Sequence, residues 1–203
     1  MFDIVVSKYN RNVDWANKFR EINGIEIRNI LIYEKEKPEN KYNIPVNKGN
    51  EASVYLKYII DNYENLPEFT FFVHDEEYSW HHGGSLLNKL REAIMSNKLY
   101  YNVNDKCILG NIITNEWYNE ILEWYNTYIE KYIPMNSLPN KDWTNGHRGS
   151  AQFLVHKSII LKLPKDFYLD LYIWIITTNL SSSKSGRFME WTWHLFWDIY
   201  PNL

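Results

Sequence analysis

At 203 residues, 45% of them hydrophobic, the chain is long enough to bury a core without covalent staples, and its one cysteine, Cys107, rules out an intrachain disulfide. A formal net charge of -3, with lysines scattered instead of blocked, excludes the electrostatic footprint of a nucleic-acid binder. No stretch of about 18 uncharged apolar residues predicts a membrane span, and residues 1–6 meet Ser7 and Lys8 too soon for a secretory signal, so the expectation is a cytoplasmic protein.

Residues 3–7, Asp-Ile-Val-Val-Ser, are short, β-branched and bounded by polar groups, which predicts a buried first strand. Trp15, Phe19 and Ile22 recur at helical spacing until Asn23-Gly24 stops the turn. A second strand is predicted over 25–34, where isoleucines alternate with one slip, and 35–50 is predicted as a surface loop. Residues 51–63 place Ala52, Tyr55, Leu56, Ile59 and Tyr63 on one stripe, a helix with Asn50 as its expected N-cap. Residues 70–73 form the third predicted strand. Strand, helix, strand, helix, strand is the rhythm of a mostly parallel sheet flanked by helices, so the expected class is a single α/β domain. Ligands in such sheets bind beyond the carboxyl ends of the strands, where Ser7 to Asn10, Glu34 and His74 to Glu77 fall. Downstream, helices are predicted over 85–97, 115–132, 166–178 and 186–199, strands over 99–103 and 151–156, a loop over 134–149 and a flexible polar connector over 181–186.

The third strand runs into Asp75-Glu76-Glu77 and then into His81, His82 and two glycines, an ending no core requires. If the chain stays extended, Asp75 and Glu77 share a face and suit a hard cation such as Mg or Mn that keeps waters and bridges phosphate oxygens. The alternatives are a solvated acidic turn or a zinc site using His74, His81 and His82, although those histidines lack the spacing of zinc motifs. In the last predicted helix Arg187, Glu190 and His194 form a polar stripe on an otherwise apolar surface, which either satisfies itself or faces a ligand. Lys8, Arg148 and Arg187 are the basic groups available to a diphosphate, Arg148 being set between glycines in Asn145-Gly-His-Arg-Gly149. No Walker or Rossmann glycine loop, GxSxG elbow or Cys/His pair with family spacing is present. The aromatic content of 17% serves a packed core or a sugar-binding cleft, with Trp80 and Trp117 as candidate sugar platforms.

Four segments together resemble small single-domain glycosyltransferases of the GT-A type found in chlorella viruses and other large DNA viruses, with relatives in fungi and bacteria. They are Val5-Val-Ser-Lys-Tyr-Asn10 with Trp15; Asn50-Glu-Ala-Ser-Val-Tyr-Leu-Lys-Tyr-Ile59 with Asn62-Tyr63 and Leu66-Pro67; Phe72-Val-His-Asp-Glu-Glu77 with Trp80-His81; and Ala151-Gln-Phe153 with Ser185-Gly-Arg-Phe-Met-Glu190 and Trp193-His194. The resemblance implies a GT-A-like fold and transfer of a sugar from a nucleotide-diphosphate donor, such as a UDP- or GDP-sugar, to a glycan or glycoprotein acceptor. In a viral protein the site of action would be the host cytoplasm, and the product could be a capsid glycan. It implies Mn or Mg at a DXD-type motif, here Asp75-Glu76-Glu77, which departs from the pattern in its last residue. It further implies a nucleotide near Ser7, Lys8 and Tyr9, beside Asp75 and Glu76. On the residues themselves Arg148 and Arg187 are then the further groups that meet the diphosphate. Glu190 falls where many such enzymes carry an acceptor-activating carboxylate, and His194, one turn on, either orients it or touches the metal or diphosphate. Two other classes compete on the residues alone, a metal-dependent hydrolase and a carbohydrate-binding module without chemistry.

Overall fold

The computed structural model describes residues 1–202. Six strands form one sheet: β1 (Phe2–Lys8), β2 (Ile27–Lys35), β3 (Asn43–Ile44), β4 (Phe69–His74), β5 (Tyr100–Asn102) and β6 (Phe153–His156). Their order is β3-β2-β1-β4-β6-β5. The pairs from β3 through β4 are parallel, and β6 runs antiparallel to both β4 and β5. The expected mixed, mostly parallel sheet between helices is therefore what the chain forms.

Alternation along the central strands decides which side chain meets which layer. Val5, Leu31, Tyr33, Phe72, Phe153 and Val155 pack on one face. That face is covered by α1 (Ala52–Asn62), by helices that follow later in the chain, and by the aromatic C-terminal turns. Ile4, Val6, Phe71, Val73 and Leu154 pack on the other face, against the 3-10 helix Asp14–Glu21 and α2 (Leu86–Met95). The crossing from β1 to β2 thus runs on one face and the crossing from β2 back past β1 to β4 on the other. That creates the topological switch between β1 and β4 at which open sheets carry ligands.

The remaining helices are α3 (Tyr118–Tyr128), the short α4 (Lys157–Ile160), α5 (Lys165–Thr177) and α6 (Ser182–Glu190). Two expectations fail here. Residues 181–186 are no flexible connector: Ser181 caps α6 by accepting the amide of Lys184, and the helix runs to Glu190. Nor is 186–199 one helix, because α6 ends at Trp191 and a π-helical turn, Leu195–Ile199, follows. Trp193, Leu195, Phe196 and Trp197 are all buried in the aromatic core, with Trp193 stacked on Trp197 at 4.8 Å, so these turns have no exposed face. Asn50 is not the cap of α1 either; it takes a left-handed φ of 48° beside Gly49 at 66°, and its side chain turns to α6.

Beneath this frame lies a buried carboxylate. Asp3, fully buried in β1, is held by Arg28 Nη2 at 2.6 Å, Tyr58 Oη at 2.8 Å and Asn29 Nδ2 at 3.1 Å. A carboxylate in that position needs all its partners.

Candidate functional site

Strand register sets the floor of the main cleft. Ser7 lies opposite Tyr33 in β2 and His74 in β4, so the carboxyl ends of three parallel strands stop at one level. Beyond that level opens a cavity of about 450 Å³ whose walls include Ser7, Tyr9, Arg11, Lys35, Glu51, His74, Asp75 and Glu76. Side-chain parity selects among them. Ser7, Lys35 and His74 share the face that carries Val5, Tyr33 and Phe72, whereas Lys8 points the other way and pairs with Glu34 at 2.5 Å. Ser7 and Lys8 were both expected at the ligand, but neighbours in a strand cannot face the same side.

The wall opposite the strands is built from two helix starts. Gly49 and Asn50 bring the chain into α1 through consecutive left-handed residues, and Gly49 must lack a side chain because a Cβ there would collide with Ile175. The Asn50 amide donates to Ser182 Oγ at 3.1 Å, and Ser182 Oγ approaches Asn50 Oδ1 at 3.3 Å. Gly186 allows this join, since a Cβ on it would lie 2.7 Å from Asn50 Nδ2. The amino ends of α1 and α6 therefore open on the same cavity, where Asn50, Ser182 and Ser183 line it. Two converging helix N-termini turn partial positive charge toward the cavity, which favours an anion.

Burial perturbs three ionisable groups of the cleft, Lys35, Glu51 and His74. Lys35, 8% exposed, donates to the Asn50 carbonyl and to Asn47 Oδ1 and the Lys48 carbonyl, each of the latter at 3.4 Å. Burial lowers its ammonium pKa, opposed by the nearby Glu51, and burial raises Glu51. His74 Nε2 lies 3.7 Å from Glu51 Oε2 without a hydrogen bond, and burial pushes this imidazole down to about 4. Asp75 Oδ2 accepts the Tyr9 amide at 2.7 Å, which ties the end of β1 to the end of β4. Arg11 reaches over both, with Nη2 on Glu76 Oε1 at 2.5 Å and Nε 3.9 Å from Asp75 Oδ1.

The acidic run does not arrange itself as an extended strand would. β4 stops at His74, and Asp75 and Glu76 line the cleft, while Glu77 pairs with Lys18 at 3.2 Å and lines, with Asp75 and Glu76, a shallower pocket beside it. The expected pairing of Asp75 with Glu77 on one spot of the cleft is thus replaced by Asp75 with Glu76. The three histidines do not converge either. His81 edges onto His74 at 5.5 Å and accepts from or donates to Ser79 Oγ, whereas both nitrogens of buried His82 lack partners. Among the described residues no three of His, Cys, Asp and Glu form a group able to hold a metal by themselves. A hard cation that takes one or two carboxylates and draws its other ligands from water and phosphate still fits Asp75 and Glu76.

The late polar stripe divides. Glu190 Oε1 accepts the Ser150 amide at 2.8 Å, and Oε2 pairs with Arg187 at 2.9 Å, so these two residues pair with each other at the margin of the cleft, near enough to Glu51 to feel its charge. Burial lifts the Glu190 carboxyl to about 7, against the pull of Arg187 and assisted by repulsion from Glu51. His194 sits elsewhere: its Nε2 bonds the Trp143 carbonyl and its ring stacks on His147 at 4.5 Å. Arg148 is also remote from the cleft, donating to the Asn102 carbonyl at 2.6 Å and lying over the Tyr101 ring. Trp117 packs on Trp191 and carries Lys184 over its ring, while Trp80 is 71% exposed against His81. Sequence reasoning missed Arg11, Lys35, Asn47 and Glu51 as cleft residues, and Ser182 and Ser183 with them. For Lys35 the signal was present, because its parity matches Leu31 and Tyr33 in β2.

Three comparisons bear on this geometry. The family model described as "Protein of unknown function (DUF3431)" matches residues 4–201. A solved structure described as the apo form of WbbM, a bifunctional glycosyltransferase, is similar in fold, with a TM-score of 0.50 and 13% identity, over 96% of this chain. This chain spans 42% of that one, less than half its length. No curated protein matches. Among the described residues no helix is long and apolar enough to cross a membrane.

Proposed function

The chain belongs to the DUF3431 family, and on the chemistry of its cleft we propose that it is a metal-dependent glycosyltransferase using a nucleotide-diphosphate sugar. The observation that carries the reading is the meeting, at the β1/β4 switch, of two helix N-termini, buried Lys35 and the Asp75-Glu76 pair in one cavity. A fold shared with a glycosyltransferase agrees with it. The lining carries two cations, Arg11 and Lys35, against three carboxylates, Glu51, Asp75 and Glu76. A diphosphate brings about two further negative charges, so charge balance calls for a divalent cation beside the helix amides. Asp75 and Glu76 would hold Mn or Mg, which when bound neutralises the leaving diphosphate. Ser7 and Tyr9 border the nucleotide side of the cavity in this reading, and Arg11 is free to swing from Glu76 onto phosphate.

The reaction this supports forms a bond between an acceptor hydroxyl oxygen and the anomeric carbon while the bond from that carbon to the diphosphate oxygen breaks. The acceptor proton passes to Glu190, whose carboxyl near 7 suits a base at neutral pH, and the nucleoside diphosphate leaves with the electron pair. Arg187 holds that carboxylate in place, and the acceptor is a glycan or glycoprotein.

The test is incubation with UDP- and GDP-sugars and Mn, with and without an oligosaccharide acceptor, following free nucleotide and glycosylated product together. Acceptor-dependent nucleotide release with product supports transfer. Release of free sugar at the same rate without acceptor would make the protein a hydrolase, and binding without turnover would make it a sugar-binding module.

A further inference from the structure

A second cavity, of about 230 Å³, lies along the β5 edge of the sheet and shares no lining residue with the cleft. Tyr100 of β5 and His194 form its inner wall, the loop bearing His147 and Arg148 closes one side, and Lys98 and Asp198 stand exposed at its mouth. Two polar atoms here keep unused hydrogen-bonding capacity: among the described residues His194 Nδ1 has no partner, and the Tyr100 hydroxyl meets the Asn102 side chain alone, on residues 2% and 8% exposed. Because His194 Nε2 faces the Trp143 carbonyl, which can only accept, Nε2 carries the hydrogen and Nδ1 keeps a lone pair. Burial keeps that imidazole neutral. The wall therefore offers one donor and one acceptor, the complement of a sugar hydroxyl, at positions where an unmet polar group costs stability.

Charge adds a second requirement. Lys98 and Arg148 oppose Asp198 alone, leaving a cationic excess, and Arg148 spends one N–H on the Asn102 carbonyl while Tyr101 supports its guanidinium from below. The forked remainder of the guanidinium suits a carboxylate or phosphate. The stacked His147 and His194 rings, 19° from parallel, supply a flat wall for a sugar ring.

We infer that this cavity binds an anionic monosaccharide, a hexose bearing a carboxylate or phosphate, whose hydroxyl bonds Tyr100 and His194 while its acidic group meets Arg148 and Lys98. The site stands independently of the activity assigned to the cleft. Amide NMR titrations with glucuronate, glucose 6-phosphate, glucose and inorganic phosphate test it. The two anionic sugars should shift Tyr101, Asn102, His147 and Arg148 saturably, with glucose and phosphate each about tenfold weaker or more. Tyr100→Phe deletes a hydroxyl whose one protein partner is the Asn102 side chain, so it should move the melting temperature little yet lose about tenfold in affinity for both anionic sugars. Lys98→Ala, at an exposed position that folding does not need, should weaken both severalfold. Absence of saturable shifts with either sugar acid would overturn the inference, as would phosphate binding equal to theirs. So would unchanged affinity in either variant, or shifts confined to Tyr9, Glu51 and Asp75, which would put the sugar in the cleft.

Discussion

Glu190→Gln should change how stability depends on pH, and the structure sets the size of the effect. Burial raises the Glu190 carboxyl from 4.5 to about 7, so between those values the folded protein keeps a proton that the unfolded chain releases. For an acid raised in this way, its stabilising contribution is fully present below the unfolded value and is lost as pH climbs through the folded one. At about 1.4 kcal/mol per pH unit the loss amounts to roughly 3 kcal/mol by pH 8. Glutamine keeps an acceptor for the Ser150 amide but carries no proton to lose. Its cost is the Arg187 pair, a partly exposed contact contributing about 0.2–1 kcal/mol. Urea unfolding of both proteins at pH 5 and pH 8 measures this. The wild type should lose roughly 3 kcal/mol more than the variant between the two pH values. Equal losses would mean that Glu190 ionises as an ordinary surface carboxylate, which would also remove the reason for treating it as a base tuned to neutral pH.

Arg28→Ala strips the buried Asp3 of its ionic partner and should destabilise the protein by about 3–5 kcal/mol in the same urea assay. Lys35→Met should lower the melting temperature because a charged donor to the Asn50 carbonyl is lost, a bond of about 1.5–3 kcal/mol, and should weaken nucleotide-sugar binding in calorimetry as the cleft loses a cation. Gly186→Ala would favour an isolated helix, yet its methyl meets Asn50, so the expected result is a net loss of about 1–3 kcal/mol together with weaker donor binding. A neutral or stabilised Gly186→Ala variant would show that the α1 and α6 ends are not tightly joined.

The central strands were legible because Ile4-Val5-Val6 and Phe71-Phe72-Val73 are buried on both faces and bounded by polar residues, a pattern few other structures satisfy. Helix α1 was equally clear from its stripe, while its cap was not: the left-handed turn at Gly49-Asn50 is imposed by α5 and α6, which lie more than a hundred residues away in the chain. The same distance hid the cleft's second wall. Ser182 and Ser183 look like linker residues until Ser181 caps a helix whose start docks on Asn50. Asp75 was readable as the end of a parallel strand at a switch point, but its partner depended on where β4 stops. Once the strand ends at His74 its alternation no longer decides which carboxylate faces the cleft, and the turn that follows brings Asp75 and Glu76 there together. The spacing of Arg187, Glu190 and His194 assumed one unbroken helix, and the break after Glu190 carries His194 to the far edge of the sheet.

Calorimetric titration of UDP into the protein with and without Mn, repeated on Asp75→Ala, tests the central claim most directly. The account predicts binding that strengthens at least about tenfold with Mn in the wild type, and in Asp75→Ala a protein that unfolds cooperatively but gains nothing from the metal. Manganese-independent binding of equal strength in both proteins, or none in either, would contradict it.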